Sequence, residues 1–120
     1  MAFSADGGSQ LIQAQQATPK TTFSLLNAVT TNQTSPEQDL KAGRRIIQAW
    51  IAGTGAVSAT VTWYGKVLKS SPAEVVATST LSGTNTAQSF GELTVEWPII
   101  YCILTAISGT NAAVTAMVSV

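Results

Sequence analysis

The chain has 120 residues, enough for one domain with one ordinary core. Apolar residues make up 45% of it and charged residues only 10%, six basic against six acidic. That balance excludes charge-driven disorder, argues against specific nucleic-acid binding, and leaves little electrostatic resistance to self-association.

Residues 1–20, "MAFSADGGSQLIQAQQATPK", are rich in Gln, Ala, Ser and Gly, with Phe3, Leu11 and Ile12 as the sizeable apolar groups. They read as an N-terminal arm; extended, about twenty residues reach roughly 65 Å, enough to cross a neighbouring subunit. The segment lacks the basic start and continuous apolar stretch of a signal peptide, so a soluble protein in a reducing compartment is expected. No membrane association is expected either, because the longest apolar run, Trp97 to Leu104, falls far short of the ~20 residues of a spanning helix.

Residues 21–120 form the domain proper. β-branched and aromatic residues cluster there in short runs separated by Gly, Pro, Ser and Asn. The runs predict strands near Thr22–Thr30, Arg45–Ala52, Val57–Gly65, Glu74–Leu81, Ser89–Glu96, Ile99–Ile107 and Ala113–Val120. About seven strands in a hundred residues predict an all-β, antiparallel β-sandwich of the jelly-roll or Ig-like kind. Two tight hairpins are expected at Gly53-Thr54 and Gly109-Thr110, where glycine supplies the positive φ such turns need. Between them and the first strand, Ser35-Pro36-Glu37-Gln38 has the form of a capped start, so a single helical turn ending at Gly43 fits, and so does a plain loop.

Alternation within the runs points to function. Val57, Ala59, Val61 and Trp63 alternate with Ser58, Thr60, Thr62 and Tyr64, which marks one buried and one wet face. "RIIQAWIA" and "IIYCIL", by contrast, place large apolar groups on both faces. An outer face of that kind calls for a covering layer, and the arm or another subunit is the expected cover. The candidate partner-facing residues are therefore Phe3, Leu11 and Ile12 on the arm, with Ile46, Trp50, Ile99, Tyr101 and Ile103 on the strands.

Chemistry is thinly represented. Histidine is absent and cysteine occurs once, which removes Ser–His and Cys–His nucleophiles, cysteine metal clusters and any internal disulfide. Cys102, inside "IIYCIL", reads as a small core residue. Glu92 and Glu96 share a strand side but stand about 13 Å apart along it, too far for a glycosidase acid pair. The charges from Glu37 to Arg45 read as a solvated, locally compensated loop. No catalytic residue, cofactor site or metal site is expected. Trp63 and Tyr64 at a strand end could serve as a stacking platform for sugars, although core packing is the commoner fate of such aromatics.

"LKAGRRIIQAWIAGTGAVSATVTWYG", the "SGT" turn after Leu81, "WPIIYCILTAISGTNAAVTAMVSV" and the Gln/Ala-rich arm together resemble small virion structural proteins of tailed bacteriophages, the β modules that decorate or cement capsids. The resemblance implies a non-enzymatic protein made in the host cytoplasm and seated on the capsid surface. It further implies a homo-oligomer, a trimer, bridging neighbouring major capsid subunits. The alternative is a tail or adhesin module that binds host glycans through Trp63 and Tyr64.

Overall fold

The computed structural model describes residues 21–120. The expected arm, residues 1–20 with Phe3, Leu11 and Ile12, lies outside the described residues. The described chain is all β: β1 (Thr22–Val29), β2 (Gln33–Thr34), β3 (Gln38–Asp39), β4 (Arg45–Lys66), β5 (Glu74–Leu93) and β6 (Ile99–Ser119). All six belong to one antiparallel sheet in the order β1-β6-β4-β5, with β2 and β3 also paired to β6. The strand count of seven and the two hairpins need correcting. Six of the seven expected segments are halves of only three strands, β4, β5 and β6, each of which runs on through its Gly-Thr sequence.

The register makes this plain. Pairing of β4 with β6 runs from Ile46↔Ser119 through Thr54↔Thr110 to Lys66↔Ile99, and pairing with β5 runs from Arg45↔Leu93 to Gly65↔Glu74. Each Gly-Thr stretch interrupts its ladder by a register shift, and the shifts fall at one level across the sheet, around Gly53–Gly55, Gly83–Asn85 and Ser108–Asn111. Positive φ angles at Gly55 (74°), Asn85 (66°), Gly109 (127°) and Asn111 (55°) supply the kinks. A positive-φ residue suits a bulge as well as a hairpin turn, so local sequence could not separate the two. Here the strand on each side of the kink finds the same neighbour again, which a hairpin would forbid.

A straight strand of 22 residues would measure about 73 Å at 3.3 Å per residue. The longest dimension of the molecule is 56 Å. The sheet therefore bends, and the connections show how far. Leu93 ends β5 at the edge of the first half, the part built on Arg45–Ala52; Ile99 opens β6 at the far edge of the second half, built on Val57–Lys66. Residues 94–98 link them and reach about 20 Å at most. The loop from Asp39 to Arg45 makes the same crossing, so the two halves lie face to face.

Glycine permits the fold at the bend. A Cβ on Gly53 would lie 2.9 Å from both the Thr110 carbonyl oxygen and Val57 Cγ1, and one on Gly109 would lie 2.9 Å from the Ala56 carbonyl oxygen and from the same Val57 methyl. The Val57 side chain thus occupies the inside of the corner. Away from the corner the inner faces supply a shared core: Ile47, Ala49, Ile51, Val114, Ala116 and Val118 from the first half, Ala59, Val61, Trp63, Leu81, Ile100, Cys102 and Leu104 from the second, with Leu25 and Leu26 from β1.

The loops that close the open end are held by main-chain recognition. The region Ser35–Gly43 contains no helical turn. The Ser35 hydroxyl oxygen instead accepts the Cys102 amide at 2.9 Å while the Ser35 amide donates to the Cys102 carbonyl at 2.8 Å, which pins the segment to β6. The charged loop also differs from a solvated one. Arg45 is only 1% exposed, and its guanidinium donates to the carbonyls of Lys41, Gly43 and Trp97. Burial lowers its pKa, an effect opposed by the charge of Glu96. Satisfying three main-chain oxygens is what makes a buried guanidinium tolerable.

Candidate partner interface

Even-numbered residues of β4 project outward, opposite the core. In the first half the register sets them in rows across the sheet: Glu92, Ile46 and Ser119; Phe90, Gln48 and Met117; Gln88, Trp50 and Thr115; Thr86, Ala52 and Ala113. Phe90 is 75% exposed and Ile46 37%, while Trp50 and Met117 are half-buried. Gln48 donates its side-chain amide to Gln88 Oε1 at 3.1 Å. The charges on this surface are at its rim, where Arg44 and Glu92 form an exposed ion pair. Such a pair contributes little to stability.

Between the rows lies an open hollow of about 490 Å³ lined by Gln48, Trp50, Ile51, Ala52, Thr86, Ala87 and Gln88. No lining residue is charged. The hollow offers one indole face and several uncharged donors and acceptors, a combination suited to packing against a neutral surface or ligand.

In the second half the outward residues are Tyr101 and Ile103, both half-buried, beside Thr62 and Tyr64. Tyr64 and Tyr101 stack with ring centroids 5.1 Å apart and planes 10° from parallel. Each ring therefore shields the other. This group does not join Ile46 and Trp50: from Trp50 to Thr62 the strand runs about 40 Å and turns the corner.

Two of the candidate residues are elsewhere. Ile99 is buried at the start of β6, flanked in the sheet by Asp39 of β3 and Lys66 of β4. Trp63 is wholly buried against the core, its indole Nε1 donating to Ser79 Oγ at 2.9 Å. A sugar platform on Trp63 is thereby corrected, since its ring has no free face. Phe90 is the residue that sequence reading missed. Its signal lay in "AQSFGEL", where Phe90 alternates in phase with Gln88 and Glu92 and so belongs to the polar, outward set. Val67, Leu68, Val75 and Val95 are also exposed, at the end where the loops gather.

The carboxylates and the thiol have structural surroundings. Glu92 pairs with Arg44, and Glu96 accepts the Gly43 amide at 2.9 Å. Glu37 pairs with the nearly buried Lys66 ammonium at 2.7 Å. Cys102 is fully buried, and burial pushes its thiol up to about 12, partly offset by a hydrogen bond with Ser35. A thiol held so firmly in its neutral form is a poor nucleophile.

No protein-family model and no curated protein matches the chain. Among solved structures it is similar to the crystal structure of the SPBc2 prophage-derived protein YomS, with a TM-score of 0.56 and 15% sequence identity. The likeness covers 85% of this chain and 94% of that one. At that identity it concerns the fold, and it spans nearly the whole of both chains.

Proposed function

We propose that the chain is a non-enzymatic structural protein of a bacteriophage virion, which stabilises the capsid by bridging neighbouring major capsid subunits. It acts as a homo-oligomer on the capsid surface, without cofactor, membrane or specific nucleic acid. The observation that carries the reading is the outer surface of the first half, where Phe90 and Ile46 are exposed and Trp50 is half-buried on the face opposite the core, to which none of the three belongs. A prophage-derived protein with the same fold supports the phage assignment, as does the resemblance of the sequence to capsid-decorating modules. Adhesion comes from apolar burial: covering the exposed part of one phenylalanine is worth up to roughly 3 kcal/mol before association costs.

Cross-linking of an intact particle tests this. Cross-links from the chain to the major capsid protein, centred on residues 46–50 and 86–92, are expected; cross-links confined to tail proteins would overturn the capsid assignment. A second reading, a glycan-binding tail or adhesin module, draws on the uncharged hollow beside Trp50. Glycan-array binding that Trp50→Ala abolishes in a folded protein would put it first.

A further inference from the structure

A sheet with free edges must either guard them or use them, because an edge presents a row of unpaired amides and carbonyls to any other strand. The two edges of this sheet are treated differently. Along one, the chain beside β6 is broken into β1, β2 and β3. β1 carries two register shifts, Ala28 there has a φ of 51°, and Pro36 separates β2 from β3. Those are features that stop a further strand from docking.

The other edge is β5, continuous for 20 residues. Among the described residues nothing pairs with its outer side. From Val75 to Gly91 it contains no charge and no proline, and its outward residues Thr78, Thr80, Ser82, Thr84, Thr86 and Gln88 are all exposed. The guards of charge and proline are therefore missing along this stretch; its irregularities are a register shift near Val76 and the kink at Asn85, where φ is 66°.

We propose that β5 is an assembly edge that pairs antiparallel with β5 of a second copy of this chain, joining two bent sheets into one across a two-fold axis. The bend selects the occupant. A straight peptide can follow β5 only on one side of the corner, about half its length, whereas a strand kinked at the same level follows all of it. The guarded β1–β3 edge is not such a strand; β5 of another copy is. The corners coincide only when the axis passes through Gly83, Thr84 or Asn85. An axis at Gly83 sets Glu74 opposite Glu92, two like charges, which disfavours it. An axis at Thr84 brings Thr84 against Thr84, Ser82 against Thr86, Thr80 against Gln88 and Thr78 against Phe90, with no charges opposed. This inference rests on the sheet alone and holds whichever surface of the virion the protein occupies.

Sedimentation of the full chain at micromolar concentration tests it, with thermal melts as the control for folding. A dimer is expected. Thr84→Lys and Thr84→Glu, each placing two like charges on the axis, should each weaken the dimer at least about tenfold with unchanged melts. An equimolar mixture of the two variants should restore it. Thr80→Lys mixed with Gln88→Glu reads the same register away from the corner, and serves should the Thr84 variants fail to fold. A monomeric wild-type chain overturns the proposal, as does a dimer indifferent to both variant pairs. So does a monomer that dimerises once residues 1–17 are removed, since the arm would then be the occupant of the edge.

Discussion

Trp50 and Trp63 lie on the same strand, thirteen residues apart, yet they meet opposite fates. Trp63 points inward, is fully buried and spends its indole hydrogen on Ser79; Trp50 points outward, stays half-buried and lines the open hollow. Their numbers differ in parity, and the bend between them preserves which side of β4 faces the core. The difference teaches that this strand sends one tryptophan into the core and the other to the outer face. The inner faces of both halves join in one buried core, while the outer face of the first half keeps Phe90 and Ile46 exposed and Trp50 half-buried.

The largest effect should come from breaking that division at its buried member. Trp63→Ala removes the largest of the fully buried side chains and should destabilise the fold by about 3–5 kcal/mol. Trp50→Ala should cost less, about 1–2 kcal/mol, because Trp50 lies on the outer face and is only half-buried. Parallel denaturant titrations of the two variants measure the contrast. Equal losses would show that the outer face supports the fold after all.

A smaller effect distinguishes buried from exposed chemistry. The folded-state pKa of Cys102 is raised from 9.0 to about 12. The unfolded thiol ionises first, so the unfolded state binds fewer protons above pH 9 and stability falls as pH rises from there toward 12; below pH 9 this group contributes no slope. The limiting slope is about 1.4 kcal/mol per pH unit for one proton. Other groups titrate in the same range, so the measurement is the difference between wild type and Cys102→Ala in stability at pH 8, 9 and 10. A difference that stays constant with pH would show that the thiol titrates normally.

How much of this was legible in the sequence follows from the range of each interaction. Alternation over four or five residues revealed the all-β class and the inward set Val57, Ala59, Val61 and Trp63, because side-chain direction in a strand is a local property. The same alternation gave Ile46 and Trp50 their outward positions. The bend was read as hairpins because Gly53-Thr54 and Gly109-Thr110 satisfy both geometries, and only pairing across some sixty residues, Ala52 with Ala113, decides between them. Ile99 and Arg45 failed as local readings for a similar reason. Ile99 is flanked in the sheet by Asp39 and Lys66, and the guanidinium of Arg45 reaches the Trp97 carbonyl, far off in sequence, as well as the nearby carbonyls of Lys41 and Gly43.

The smallest expected effect on stability is also the sharpest test of the division between faces. Phe90 is three-quarters exposed, opposite Gln48 and beside the Arg44–Glu92 pair. Replacing it by serine removes few contacts from the folded monomer and keeps a residue acceptable to a strand, so denaturant midpoints should move by less than about 0.5 kcal/mol. If the outer face exists for a partner, the same change should strip the protein from particles during gradient sedimentation, because a large exposed aromatic is the kind of residue that carries binding energy. Phe90→Tyr, which keeps the ring and adds one hydroxyl at its rim, should restore most of the attachment. Loss of stability in Phe90→Ser without loss of attachment would reverse the assignment and make Phe90 a part of the fold.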